Sequence, residues 1–147
     1  MKSSQRLDPI IDKARKSEEL AARALAEACN RQEGAHQKLA ELEAYRTEYV
    51  EGLHYKSRTG LNAMQMKDYQ AFLGRLDEAI RQQQQLLASF EQEAAQVRER
   101  WMQEKQRLSA LGKLGDRHRQ RERLDSDRLE QLETNEHALR RWRRVPG

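Results

Sequence analysis

The sequence predicts an all-α fold in which two long helices form an antiparallel coiled-coil hairpin, the second helix being longer and ending in a C-terminal overhang. Three observations lead to this prediction. The 147 residues are 35% charged and only 5% aromatic, and Ala, Leu, Glu, Gln, Lys and Arg dominate, a composition typical of coiled coils. Val, Ile and Thr occur three times each, too few for an extensive sheet. Apolar residues recur in heptads on both sides of a glycine-containing turn, which argues against disorder.

The first helix is predicted over about residues 9–56. Asp8 is a favourable N-cap and Pro9 suits the first helical position, where its missing N–H costs nothing. From there one apolar set of heptad positions continues in phase, and a second set alternates between apolar and polar residues. The first set is Leu7, Ala14, Ala21, Ala28, Ala35, Leu42 and Tyr49, and the second is Ile11, Glu18, Leu25, Gln32, Leu39, Arg46 and Leu53. An alanine-rich seam predicts close approach of a partner helix, with polar layers that could fix the register.

A turn is predicted over about residues 57–62, which contain glycine, serine and asparagine. Asn62, followed by Gln65, resembles a capping box and marks the start of the next helix. The second helix is predicted over about residues 63–141. A turn near residue 60 would pair small residues of the first helix with large residues of the second.

The heptad of the second helix is predicted to lapse after Leu111, where the first helix ends. We therefore expect an unpaired overhang over residues 112–147, which ends in a basic tail at residues 140–147. The whole of residues 1–147 is predicted to be a single coiled-coil domain. A weaker apolar set returns within the overhang, at Leu129, Leu132, Leu139 and Trp142.

Apolar residues near the turn are more numerous than a two-helix seam requires. Neighbours such as Phe72 and Leu73 cannot both face the seam, so one of each pair must face solvent. An exposed apolar and aromatic surface predicts a protein-binding site; the alternative is a tighter core or a dimer contact. Two ridges lie side by side in this interpretation and comprise Leu42, Tyr45, Tyr49, Phe72, Leu76, Ala79 and Gln83.

Nothing in the sequence indicates catalysis. The histidines lack metal-ligand spacing, Cys29 is expected to be a buried structural thiol, and no phosphate-binding loop occurs. We therefore expect no catalytic residue, no metal, no cofactor and no enzymatic activity. The absence of a long apolar run predicts a cytoplasmic protein without a secretory signal or a membrane span.

Three stretches carry a family resemblance over nearly the whole chain. They are Tyr45-Arg-Thr-Glu-Tyr49, the segment from Tyr69 to Ile80, and Trp101 with Lys105-Gln-Arg-Leu108 and Asp116-Arg117. They resemble the flagellar type III export protein FliJ family. The resemblance implies an antiparallel coiled coil similar to the stalk of the rotary ATPase γ subunit. It further implies binding to the hexameric flagellar export ATPase and stimulation of it, binding to the cytoplasmic domain of the membrane export gate, escort of substrate chaperones, and peripheral association with the inner membrane through the export apparatus.

The resemblance also implies roles for particular residues. The gate-binding surface of the family maps onto the two ridges, with Gln83 standing where the family pattern has a histidine. For a different reason, namely that the turn is already assigned to the gate and the opposite end is rich in charge, we expect the ATPase to contact the charged overhang. The residues expected to make this contact are Arg117, Arg119, Arg121, Arg123, Arg140, Arg141, Arg143 and Arg144. No nucleic acid is expected as a partner on this interpretation. The alternatives are a nucleic-acid-binding coiled coil that acts through the arginine tail, or a generic coiled-coil scaffold.

Overall fold

The computed structural model describes residues 2–144 and contains two helices, α1 (Ser3–Thr59) and α2 (Ala63–Arg144). The two helices pack against each other in an antiparallel hairpin, and the described residues include no strand. The predicted fold class is confirmed. By their contacts, residues 21–101 form one compact unit, and residues 2–20 with 102–144 form a second. The prediction of a single domain over residues 1–147 stays a prediction.

The connection between the helices follows the predicted chemistry closely. α1 ends at Thr59 rather than near residue 56, so residues 57–59 of the predicted turn are helical. Gly60 adopts a φ of 107°, which residues with a Cβ rarely adopt. Asn62 and Gln65 form the predicted capping box: the Gln65 N–H donates to Asn62 Oδ1 over 2.8 Å, and the Asn62 N–H donates to Gln65 Oε1 over 3.2 Å. α2 therefore begins at Ala63, where the sequence predicted it.

Both helices extend beyond their predicted outer ends. α1 begins at Ser3 rather than near residue 9, and Pro9 lies inside it. Because proline has no N–H, the carbonyl of Gln5 lacks its usual helical donor there. The turn before Pro9 is stabilised instead by contacts of Ser4 with α2, which are described below and which heptad spacing does not predict. α2 continues to Arg144 rather than ending near residue 141; the remainder of the predicted tail, residues 145–147, lies outside the described residues.

In the unit of residues 21–101, small side chains of α1 face large ones of α2. Ala28 and Ala35 are buried on α1, and Ile80 and Leu87 are buried on α2. Gln83 is also buried, and its side-chain amide donates to the carbonyl of Ala35 over 3.0 Å. A polar group in this position is tolerated because it has a partner, and it favours the register that supplies that partner.

Ion pairs flank the seam of this unit. Arg31 contacts Glu93 over 2.7 Å between the helices, and Arg46 pairs with Asp77. The hydrogen bond from Arg46 lowers the pKa of Asp77 below its usual value. Their side chains are 43–49% exposed, so these pairs contribute modestly to stability and mainly oppose other registers.

In the unit of residues 2–20 and 102–144, the helices remain paired beyond Leu111, and the predicted lapse there is wrong. Gly115 is buried, and His118 and Glu122 are half-buried. The Cδ1 atom of Ile11 lies 3.0 Å from where a Cβ at residue 115 would stand. Gly115 therefore permits a close approach of the helices at a position where the lapse of the heptad had predicted that pairing is lost. Every described residue from 123 to 144 is exposed, so the unpaired segment begins at residue 123 rather than 112.

Ser4 and Glu122 account for the early start of α1. The Ser4 N–H donates to Glu122 Oε1 over 3.1 Å, and the Ser4 hydroxyl donates to Oε2 over 2.7 Å. A carboxylate from α2 thus caps the first turn of α1, where helical N–H groups lack internal partners. The hydrogen bonds from the Ser4 hydroxyl and then from its N–H lower the pKa of Glu122.

This contact predicts a pH-dependent first turn. Because the folded pKa of Glu122 is depressed, its contribution is present above the ordinary glutamate pKa of about 4.3 and is lost as pH falls through the folded pKa. We expect the hydrogen-exchange protection of the Ser4 amide to be high at neutral pH and to fall in acid. Glu122→Gln should weaken this protection at neutral pH and remove most of its pH dependence.

Glu133→Gln is the matched control, because Glu133 is exposed, and it should leave the protection of Ser4 unchanged. An unaltered pH dependence in Glu122→Gln would assign the effect to another group.

Candidate functional site

Four aromatic side chains gather on one flank of the unit of residues 21–101. Tyr45 and Tyr49 lie one turn apart on α1, and Tyr69 and Phe72 lie one turn apart on α2. The Tyr49 ring stands 4.5 Å from Phe72 and 5.2 Å from Tyr69, measured between centroids. Tyr45 meets Phe72 edge-to-face at 6.2 Å, a favoured arrangement for aromatic pairs. We call these four residues the aromatic surface.

The members of the aromatic surface differ in exposure. Tyr45 is 48% exposed, whereas Tyr49 is half-buried and contacts all three other rings. Partial burial, followed by the neighbouring phenols of Tyr69 and Tyr45, raises the pKa of Tyr49. Tyr49 was predicted both as a seam position and as a ridge residue, and the structure makes it the centre of the cluster, with Tyr45 as the most accessible edge.

Two cations border the aromatic surface. The Lys56 ammonium lies 5.3 Å from the centroid of the Tyr69 ring, and the Arg75 guanidinium lies 5.9 Å from that of Phe72. These distances fall within the range of cation–π attraction. The hydrogen bond to the Tyr69 phenol raises the pKa of Lys56. The rings are thus held in place partly by charged side chains at their edge.

The structure divides the residues that the sequence assigned to the ridges. Leu42, Phe72 and Ala79 are half-buried, so part of each remains accessible beside Tyr45. Leu76 and Gln83 are each only 7% exposed and lie between the helices. The expectation that these two side chains face solvent is wrong. Both also occupy seam positions of the heptad, and in the structure they are buried between the helices.

Sequence reasoning missed further members of this region. Leu86 is 44% exposed and follows Ala79 by one heptad, so it continues the same face of α2. The signal was the spacing of Phe72, Ala79 and Leu86 at intervals of seven residues. Tyr69 was not among the residues assigned to the two ridges, and nothing in the heptad pattern indicated the two bordering cations.

The arginines of the charged segment do not share one environment. Arg119 donates to Asp116 over 2.7 Å and lies 3.7 Å from Asp8 on α1; the hydrogen bond to Asp116 raises its pKa. Arg117 and Arg121 lie one turn apart and border a shallow groove. The chain therefore engages Arg119 internally and presents Arg117 and Arg121 on another face of the helix.

The C-terminal part of α2 has no packing against α1. Arg123, Arg140, Arg141, Arg143 and Arg144 are all exposed. Trp142 is 77% exposed, as large apolar side chains rarely are. Arg140 contacts Glu136 on its own helix over 3.9 Å, and both side chains are about two-thirds exposed.

Groups that could support other chemistry are few among residues 2–144. No set of three or more His, Cys, Asp and Glu side chains in that range is placed to hold a metal ion. Cys29 is half-buried rather than fully buried, and its sulfur lies 3.9 Å from an Arg98 nitrogen. Neither helix, over the described residues, has a segment both long and apolar enough to cross a membrane.

The fold and these surfaces define a class of protein: antiparallel two-helix coiled coils with an exposed aromatic surface and exposed arginines on their helices. A family model described as "Flagellar FliJ protein" matches residues 2–147. The flagellar FliJ protein of Escherichia coli (strain K12) is 33% identical over 140 residues, and that of Salmonella typhi is 31% identical over 140 residues; each match covers 95% of both chains. The chain belongs to the FliJ family of flagellar proteins. The resemblance inferred from the sequence is confirmed, and membership supports a part in flagellar protein export.

The geometry of the aromatic surface predicts which rings support the fold. Tyr49→Ala should lower the melting temperature by several degrees, because it removes a ring that contacts three others. Tyr45→Ala should lower it much less, since Tyr45 is 48% exposed. Thermal unfolding followed by far-UV circular dichroism measures both shifts.

Tyr55→Ala is the control, because Tyr55 is 71% exposed and makes none of these ring contacts. Equal shifts for Tyr45→Ala and Tyr49→Ala would contradict the assignment of Tyr49 to the centre of the cluster.

Proposed function

We propose that this chain is a non-enzymatic component of the flagellar type III export apparatus. It acts as a central stalk that binds and stimulates the hexameric export ATPase, contacts the cytoplasmic domain of the export gate and escorts substrate chaperones. The observation that carries the proposal is the aromatic surface, a partly exposed cluster with a half-buried centre on a two-helix coiled coil. Such clusters are typical of protein-binding sites. Family membership supplies the class of partner.

The export gate is the partner proposed for the aromatic surface. Tyr45 offers an accessible ring, and Phe72, Leu42 and Ala79 offer half-buried apolar area beside it. Aromatic anchors that are held in place before binding lose little conformational entropy on contact. Leu76 and Gln83 support this surface indirectly, because both are buried between the helices and hold α2 against α1.

The export ATPase is the partner proposed for the arginines of the charged segment. Arg117, Arg121 and Arg123, together with the four arginines of residues 140–144, are exposed. Long-range attraction between such side chains and an acidic surface steers association and weakens with added salt. Arg119 has a different part, because Asp116 and Asp8 engage it and it supports the pairing of the helices.

Escort of substrate chaperones and the absence of enzymatic activity rest on family membership and on the sequence. Neither relative carries a name that states a catalytic activity. No motif of the sequence supplies a nucleophile or a phosphate-binding loop.

Gate binding gives the first test of this proposal. Tyr45→Ala should weaken binding to the purified cytoplasmic domain of the gate about tenfold or more, as expected for the loss of an aromatic anchor. The helical content should remain unchanged, because Tyr45 contributes little to the packing. Isothermal titration calorimetry measures the affinity, and circular dichroism checks the fold.

Tyr55→Ala removes an equally large ring at an exposed position outside the cluster and should bind the gate like the unaltered chain. Full affinity in Tyr45→Ala would show that the gate contacts another surface.

ATPase stimulation gives the second test. The double variant Arg117→Glu with Arg121→Glu reverses two exposed charges that share one helix face. It should reduce the phosphate release of the export ATPase severalfold relative to the unaltered chain, because attraction becomes repulsion. The stimulation by the unaltered chain should itself decline as salt is added.

The matched control is Lys13→Glu with Lys16→Glu, which changes the net charge equally at two exposed positions of α1. If both double variants lose stimulation to the same degree, net charge rather than the arginine face is responsible. If neither loses it, the assignment of Arg117 and Arg121 is wrong.

A further inference from the structure

The exposed C-terminal part of α2 carries an apolar stripe that no residue of α1 covers. Its large apolar side chains are between 54% and 77% exposed. At 3.6 residues per turn they fall within an arc of about 140° on one side of the helix. The stripe comprises Leu124, Leu129, Leu132, Leu139 and Trp142.

The same segment changes the sign of its charge along its length. Residues 124–137 contain five carboxylates and a single arginine, Arg128. Residues 138–144 contain four arginines and no carboxylate. The stripe therefore runs from a mainly acidic half into a basic half. Of the charges that fall within its arc, Asp125 lies at one end and Arg143 at the other, with Arg128 and Glu136 between them.

We infer that this stripe is an interface between two copies of the chain, which pair antiparallel through residues 124–144. An antiparallel pair centred on Thr134 places Leu129 opposite Leu139 of the second copy. It also places Asp125 opposite Arg143 of the second copy, and this contact occurs twice by symmetry. Parallel pairing would instead set each carboxylate against its own equivalent, and each arginine likewise.

The charge pattern distinguishes a second copy from other occupants of the stripe. An anionic lipid surface or a nucleic acid would attract residues 138–144, but it would repel the five carboxylates of residues 124–137. A partner that complements both halves must itself change sign along a helix of similar length. The segment is such a partner for itself.

The association should be weak and concentration-dependent. Five apolar side chains on each copy form a small interface, at the low end of the size range for specific contacts. In this register Arg128 falls opposite Arg140 of the second copy, which brings like charges together and opposes the association. The segment should therefore pair reversibly.

Sedimentation velocity of the full-length chain under reducing conditions provides the test, since Cys29 is free. The unaltered chain should shift from monomer to dimer as its concentration rises. Asp125→Arg alone or Arg143→Asp alone should each weaken the dimer about tenfold, because two attractive contacts become repulsive. The double variant Asp125→Arg with Arg143→Asp should restore the dimer, since both contacts are then attractive again with their signs exchanged.

Arg141→Asp is the matched control, because by helical spacing Arg141 lies on the side of the helix away from the stripe, and it should leave the dimer largely intact. A chain that remains monomeric throughout overturns the inference. It is also overturned by single variants that dimerise like the unaltered chain, which is the behaviour expected of parallel pairing. A monomer that binds duplex DNA or anionic vesicles through Arg143 would assign the stripe to those ligands instead.

Discussion

The close approach of the two helices is the constraint on which the rest of the structure depends. α1 presents small side chains to α2 at successive heptads, and Ala14, Ala21, Ala28 and Ala35 are all buried. Each such layer removes little apolar surface from water, so stability must accumulate over a long seam. This explains why polar seam residues are tolerated only with specific partners, as with Gln83 and the carbonyl of Ala35.

The aromatic surface is a consequence of the same constraint. A seam closed to helix–helix contact distances has no room for four rings between the backbones. Tyr45 and Phe72 therefore occupy flanking positions, and Tyr49 packs against the rings rather than deep in the seam. Large side chains that the hairpin itself cannot bury remain accessible on its flank, where neighbouring rings contact them.

Heptad spacing predicted the fold and the seam because both follow from periodicity along one chain. Nearly every predicted core position is buried or half-buried, and the capping box at Asn62 forms as its spacing indicated. What periodicity could not predict are contacts made by single atoms across the hairpin. Gly115 lies beyond the predicted end of helix pairing at Leu111, although its missing side chain admits Ile11. Ser4 was assigned no role, although Glu122 caps it.

The exposure expected of Leu76 and Gln83 was wrong for a related physical reason. A ridge of residues spaced three and four apart covers both the seam and its flank, and spacing alone does not say where one passes into the other. Leu76 and Gln83 fall on the seam side, and Ala79 and Leu86 fall on the flank. The relevant quantity is the exposed fraction of each side chain, which depends on the tilt of both helices.

The exposure of α2 beyond Glu122 reflects the lack of any described α1 residue packed against it. Apolar residues continue along α2 there, but the first turn of α1 lies level with Glu122, and none of the described residues of α1 covers these leucines. An uncovered stripe on a charged helix is stable in water only while its apolar side chains are few and separated by charges, as they are here. Arg143 belongs both to the pairing that we infer and to the arginines proposed to contact the ATPase. Because one guanidinium cannot serve both contacts at once, self-association would withdraw the segment from the ATPase, and binding to the ATPase would dissociate the pair.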